Sequence, residues 1–174
     1  DAGTGSSLDI TGAITISAWV KGETVGGGWK GIAGSAINDE GFFIGPLGKL
    51  GLVKAGSIII QGNTVLSANT FYHIVLTYNG TTIVLYLNGI NDGSVVGSGS
   101  LRIRYIGADL PSNEDFNGLI DDVRIYNYAR TAAQVAWDYN RGKPVAHWKM
   151  DDGWDTATTC DGTTATVKDA SGNG

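Results

Sequence analysis

From Ala13 to Lys21 the chain alternates, with Ile14, Ile16, Ala18 and Val20 on one face and Thr15, Ser17, Trp19 and Lys21 on the other. A period of two over that length predicts a strand buried on one face. The Gly-rich stretch from Gly22 to Gly34 reads as a loop, and Gly41 to Ile44, Gly51 to Lys54 and Ser57 to Gln61 read as short strands punctuated by Gly, Pro46 and Asn63. Tyr72, Ile74, Leu76 and Tyr78 alternate into Asn79-Gly80, and Ile83, Leu85 and Leu87 alternate out of it. This predicts a β-hairpin, because Asn-Gly readily takes the positive φ angles of tight turns, with Thr81 and Thr82 able to lengthen the loop. Asn88-Gly89 marks another turn, and further strands are expected at Ser100 to Ile106 and Gly118 to Asn127. The period changes only after Thr131, an N-cap with Gln134 three residues on as capping-box partner, in a helix expected to stop at Gly142.

Many short strands, regular turns and one short helix predict an all-β chain of two packed antiparallel sheets, with a closed β-barrel as the alternative. The length of 174 residues favours a single domain. Hydrophobic residues at 42% against 17% charged, and 27 Gly against 3 Pro, describe a folded chain with many turns. No apolar run approaches the roughly 20 residues of a membrane span, and no basic-then-apolar leader opens the sequence, so a soluble, processed or excerpted piece is expected. The 12 Lys and Arg are scattered and the net charge is -5, which argues against a nucleic-acid partner. Only Glu23, Glu40 and Glu114 among the 17 acids are Glu, and the Asp bias suits turns and oxygen-rich cation sites. The single cysteine, Cys160, rules out a disulfide within the chain and leaves a reduced thiol or a bond between chains.

Three stretches resemble the laminin-G-like jelly rolls grouped with concanavalin-A-like lectins and glucanases. They are Ile14-Thr-Ile-Ser-Ala-Trp-Val20, Tyr72-His-Ile-Val-Leu-Thr-Tyr-Asn-Gly-Thr-Thr-Ile-Val-Leu-Tyr-Leu-Asn-Gly89, and Phe116-Asn-Gly-Leu-Ile-Asp-Asp-Val-Arg-Ile-Tyr-Asn-Tyr-Ala-Arg130. The resemblance implies a two-sheet antiparallel jelly-roll sandwich, of the type found as tandem repeats in bacterial surface proteins, and hence an extracellular or cell-surface setting. It says little about function, because the same sandwich serves sugar binding, adhesion, glycan hydrolysis and plain structural repeats. Val145-Ala-His-Trp-Lys-Met-Asp-Asp-Gly153 and Asp169-Ala-Ser-Gly-Asn-Gly174 resemble the way such a domain begins, yet they follow its end. Residues 1–142 therefore read as a body without its usual opening strand, and 143–174 as a tail: either the piece was cut across the boundary of a tandem array, or the tail replaces the missing strand. Ala146, Trp148 and Met150 alternate with His147 and Lys149 and form the candidate assembly strand, completing a sandwich in its own chain or in a neighbouring subunit.

Strict alternation would put Asp121 beside Val123 and Ile125, and Asp122 beside Ile120, Arg124 and Tyr126, so that one carboxylate points toward apolar neighbours. A carboxylate so placed needs a cation, a proton or hydrogen bonds. The resemblance implies structural Ca²⁺, held by Asp121 and Asp122 with the loop residues Asp169, Ser171 and Asn173. The simpler reading has Asp121 accepting backbone N–H groups while Asp122 pairs with Arg124. For sugar binding the candidates are Trp29, and Trp154 with Asp152 and Asp155, since a ring covers the apolar sugar face and carboxylates take the hydroxyls. Trp29 and Trp154 read more readily as loop anchors tucked against the sandwich, and Trp19 and Trp148 as packing residues. No catalytic residues are expected: none of the three Glu lies in a Glu-x-Asp-x-Glu pattern, and His73 and His147 read as solvent-facing strand positions. Two functions are open, both non-catalytic. One is a structural or adhesive module, a surface filament subunit joined by strand addition to copies of itself or to neighbouring repeats. The other is a carbohydrate-binding module of a larger secreted protein, with glycans as partners.

Overall fold

The computed structural model describes residues 8–35, 40–99, 101–108 and 114–141. Its elements in chain order are β1 (Asp9–Ile10), β2 (Ile14–Gly22), β3 (Lys30–Ser35), β4 (Glu40–Ile44), β5 (Leu50–Lys54), β6 (Ser57–Gln61), β7 (Tyr72–Tyr78), β8 (Thr82–Leu87), β9 (Ile90–Val96), β10 (Leu101–Arg102), β11 (Tyr105–Ile106), β12 (Gly118–Tyr126) and α1 (Ala132–Tyr139). Two five-stranded antiparallel sheets form, in the orders β11-β3-β4-β5-β6 and β12-β2-β7-β8-β9, with β1 and β10 pairing as a separate ribbon. The architecture is a jelly-roll sandwich, not a closed barrel.

The period-two faces meet between the sheets. Ile14, Ile16, Val20, Ile74, Leu76, Ile83 and Leu85 from one sheet and Ile32, Phe42, Leu50 and Leu52 from the other are fully buried in one core. Each such side chain contributes about 1.5–3 kcal/mol by leaving water. Asn88 and Gly89 both take positive φ, 50° and 79°, and pair Leu87 with Ile90 across a two-residue turn. Asn79 folds its Oδ1 onto the N–H groups of Thr81 and Thr82, at 3.0 and 2.8 Å, which lengthens the first hairpin loop as its threonines foreshadow.

Three segments depart from the sequence reading. The Gly-rich stretch is not all loop, because Lys30–Ser35 is a strand. A side chain at Gly34 would come within 2.6 Å of the Glu40 carbonyl oxygen, so glycine there serves close backbone approach between β3 and β4. Ile90–Val96, to which the sequence reading assigned no element, is a strand. Asp92 is buried, and its Oδ1 accepts from the Thr64 N–H at 3.0 Å and the Thr64 hydroxyl at 2.6 Å, which ties the strand to the preceding loop. The expected strand from Ser100 to Ile106 divides in two, because Leu101–Arg102 pairs with β1 whereas Tyr105–Ile106 pairs with β3.

The helix has the predicted start. Thr131 Oγ1 accepts from the Gln134 N–H at 3.3 Å, and Gln134 Oε1 accepts from the Thr131 N–H at 2.9 Å, a complete capping box. Its buried residue, Val135, packs on Val75 and Tyr86, which places α1 on the outer face of the β12-β2-β7-β8-β9 sheet. Gly89 allows this approach: a methyl there would sit 3.2 Å from the Tyr139 ring and 3.3 Å from Ala136 Cα. Among the described residues no helix is long and apolar enough to cross a membrane.

Candidate functional site

The site grows from an irregularity in β12. Asp121 pairs with Trp19 and Arg124 with Ser17, so Asp122 and Val123 together face Ala18, and the strand carries one residue too many. Such a bulge bends a strand and re-aims its side chains. Asp122 takes the strained φ of 49° that the extra residue requires. The alternation consequently slips, and Ile120, Val123 and Ile125 all pack on the core while Asp121, Asp122 and Arg124 are exposed. This corrects the expectation that one carboxylate points toward apolar neighbours. Asp121 Oδ1 accepts from the Asp122 N–H at 2.8 Å, and Asp122 Oδ1 accepts from Arg124 Nε at 2.9 Å. Backbone capping and pairing with Arg124, the simpler of the two readings, is thus the observed arrangement.

The helix supplies the facing wall. Two residues beyond Val135 on a 3.6-residue turn is the opposite side of the helix, and there Trp137 stands 62% exposed. Asp138 is held by Arg130, whose Nη2 donates to Asp138 Oδ1 at 2.8 Å while the Arg130 guanidinium lies 4.7 Å from the centre of the Tyr126 ring. Arg141 closes the end in a left-handed conformation, φ 52°, its guanidinium 5.4 Å above the Trp19 ring. Together Asp121, Asp122, Arg124, Trp137, Asp138 and Arg141 line an open cleft of about 540 Å³. That volume lies within the range of small-molecule sites.

Behind the cleft runs an aromatic stack. Trp19 lies 5.8 Å from Tyr139 with the rings 25° apart, and His73 lies 5.3 Å from Trp19 and 6.1 Å from Tyr139. His73 is buried, not solvent-facing, because the helix covers the face on which strand alternation places it. Burial pushes its pKa below the ordinary value; Asp138 and Asp122 pull it up, and Arg124 and Arg141 push it further down. Its Nδ1 has no hydrogen-bond partner among the described residues. The linker into the helix is clamped by Thr15, which donates to the Tyr128 carbonyl at 2.8 Å and accepts from the Arg130 N–H at 2.9 Å.

Of the residues singled out in the sequence, Asp121 and Asp122 reach this cleft. Trp29 does not line it: it is half-buried, edge-on to Phe43 at 5.9 Å, and anchors the loop before β3. Asp169, Ser171, Asn173, Trp154, Asp152, Asp155, Ala146, Trp148 and Met150 lie outside the described residues, as do His147 and Cys160. Trp137, Asp138 and Arg141 were missed. The available signal was a tryptophan on the face of a short amphipathic helix opposite its apolar residue.

A calcium ion takes six to eight oxygens. Among the described residues no three His, Cys, Asp or Glu gather to hold a metal, and in the cleft Asp122 and Asp138 are each occupied by a guanidinium. The described part of the site by itself does not fit the ion.

Comparison with known proteins places the chain in a family. Residues 2–136 match the family model described as the concanavalin A-like lectin/glucanases superfamily. No curated protein matches. Among solved structures, a Bacteroides ovatus protein assigned to carbohydrate binding superposes with a TM-score of 0.60 at 19% identity, over 72% of this chain and 40% of that one. Domain 4 of AbnA, a GH43 extracellular arabinanase from Geobacillus stearothermophilus seen in complex with arabinotriose, superposes at 0.58 with 22% identity, over 72% and 65%. A Trypanosoma rangeli sialidase superposes at 0.58 with 15% identity, over 74% of this chain and 23% of its own. At these identities the structures share the fold, and the aligned region spans 40% of the Bacteroides chain and 23% of the sialidase chain. With a family model covering most of its length and a sandwich to match, the chain belongs to the concanavalin A-like lectin/glucanases superfamily.

Proposed function

We propose that this chain is a non-catalytic carbohydrate-binding module whose sugar site is the cleft between β12 and α1. The observation that carries the reading is Trp137, a 62% exposed indole on the wall of a polar cleft of about 540 Å³ lined by three carboxylates and two guanidinium groups. A sugar has an apolar face of C–H groups and a rim of hydroxyls, which an exposed indole and fixed charged hydrogen-bonding groups complement. Carbohydrate-binding neighbours of the same fold support it. The non-catalytic part rests on pairing. Glycoside hydrolysis ordinarily uses two carboxylates, one as acid and one as base or nucleophile. Here Asp122 and Asp138 are each engaged by an arginine, leaving Asp121 as the cleft carboxylate without an ion pair among the described residues. The setting that suits such a module is extracellular, attached to a larger secreted protein.

A glycan array probed with the full chain, followed by calorimetry on the best ligand, tests the proposal. Saturable binding that weakens at least about tenfold in Trp137→Ala is expected, equivalent to about 1.4 kcal/mol. Binding to no glycan, or binding indifferent to Trp137→Ala, would overturn it in favour of a structural or adhesive module.

A further inference from the structure

The two sides of the sandwich are closed unequally. On one side β6 meets β9, strands of five and seven residues. On the other, the nine-residue β12 is the last strand of its sheet, and the last strand opposite it is β11, of two residues. At about 3.3 Å per residue, roughly 30 Å of β12 is faced by the short β11 and its flanking backbone, with the Arg104 N–H on the Gly34 carbonyl, the Gly107 N–H on the Ile32 carbonyl and the Glu114 carbonyl accepting from the Gly31 N–H. β11 covers β12 near one end, where a methyl at Gly107 would lie 3.4 Å from Ile120 Cδ1. The effect on burial is direct. The core-facing residues of β2, Ile14, Ile16, Ala18 and Val20, are at most 1% exposed, whereas those of the neighbouring β12, Ile120, Val123 and Ile125, are only partly buried, and Leu119 is 54% exposed. Among the described residues no strand pairs with the outer edge of β12, and an unpaired edge beside a half-covered core is a place for another strand.

We propose that residues 145–150 occupy this place in the same chain, adding to the free edge of β12 with Ala146, Trp148 and Met150 turned into the core and His147 and Lys149 turned to solvent. The alternation of that segment matches the slot, which offers an apolar inner side and an open outer side. Reach selects the chain's own tail over that of a second copy. Arg141 lines the cleft together with Asp121, Asp122 and Arg124 of β12, so the described chain ends beside the strand in question. Gly142, Lys143 and Pro144 extend about 10 Å, and neighbouring strands lie about 4.8 Å apart. A tether so short gives an effective concentration in the millimolar range, which a second molecule must exceed. Pro144 stands where the added strand would begin, a position at which a missing N–H is tolerated.

Amide hydrogen exchange measured by NMR on the full chain tests this, with Trp148→Asp to expel the strand and Lys149→Asp as a control on the solvent side. The outward-facing amides of β12 should exchange at least about tenfold more slowly in the wild type and in Lys149→Asp than in Trp148→Asp, with all three proteins monomeric by sedimentation at every concentration. Equal exchange in the wild type and Trp148→Asp would overturn the proposal. So would protection that appears only with concentration-dependent dimers or polymers, since the strand would then come from another copy. Should Trp148→Asp fail to fold, amide-to-amide contacts between residues 145–150 and β12 in the unmodified monomer decide, and their absence would equally sink the idea.

Discussion

At β2 and β7 the two faces of the β12-β2-β7-β8-β9 sheet are both buried, by different means. The inner face is a continuous apolar layer, Ile14, Ile16, Ala18 and Val20 on β2 against Ile74 and Leu76 on β7, all at most 1% exposed. The outer face of the same strands carries Thr15, Ser17, His73 and Thr77, none more than 4% exposed, beneath a helix of eight residues and its linker. Inside, burial is held by the summed hydrophobic effect of many interchangeable contacts. Outside, it depends on a few specific partners: Thr15 on the linker backbone, Trp19 and His73 on Tyr139, and Val75 on Val135. The site is mounted on the second kind of surface. The sandwich can therefore stay constant while the helix and bulge set what the cleft presents.

Removing bulk from the inner face should do most damage. Leu76→Ala is expected to cost about 2–5 kcal/mol in denaturant unfolding, through lost transfer energy and a cavity. A cost below about 1 kcal/mol would contradict the continuous layer. Thr15→Val keeps the shape and removes both linker hydrogen bonds, leaving the Arg130 N–H unsatisfied, so a smaller loss of about 1–3 kcal/mol is expected. The loss should be accompanied by weaker glycan binding if the linker positions the helix.

The outer face should also carry a pH dependence that the inner face cannot. His73 has a folded pKa lowered chiefly by burial, so the unfolded chain binds the proton more readily. Its contribution to stability is complete above the unfolded value of about 6.5 and is lost as pH falls from there through the folded value. Melting temperatures should fall on acidification over that window, and His73→Phe should flatten the fall. An unchanged slope in the variant would show that His73 is not the group responsible. The smallest effect on stability is expected for Trp137→Ala, within about 0.5 kcal/mol, because the ring is exposed. A large destabilisation would assign Trp137 to packing instead of the proposed binding.

Much of the sandwich was legible because a period of two is a local property. Ile14 to Val20 and Tyr72 to Leu87 state their inner faces outright, Asn88-Gly89 its turn, and Thr131 with Gln134 the helix start. Where local chemistry and tertiary context disagreed, context prevailed. Asn91-Asp92-Gly93 lies in a strand whose buried Asp92 is held at Oδ1 by Thr64, 28 residues away, and Gly34 lies in a strand where β4 comes too close for a side chain. The cleft was the least legible part. Its bulge is invisible to an alternation count, since one extra residue reverses which side chains face the core, and both Asp121 and Asp122 end outside. Trp137, Asp138 and Arg141 join them only because Val135 seats the helix on Val75 and Tyr86, about 50 to 60 residues earlier in the chain. The sequence by itself determined the regularly alternating strands β2, β7 and β8, their inner faces and the family. Only the tertiary structure decided which polar residues would share a site, because that depends on where a short helix lands on a sheet built from distant segments.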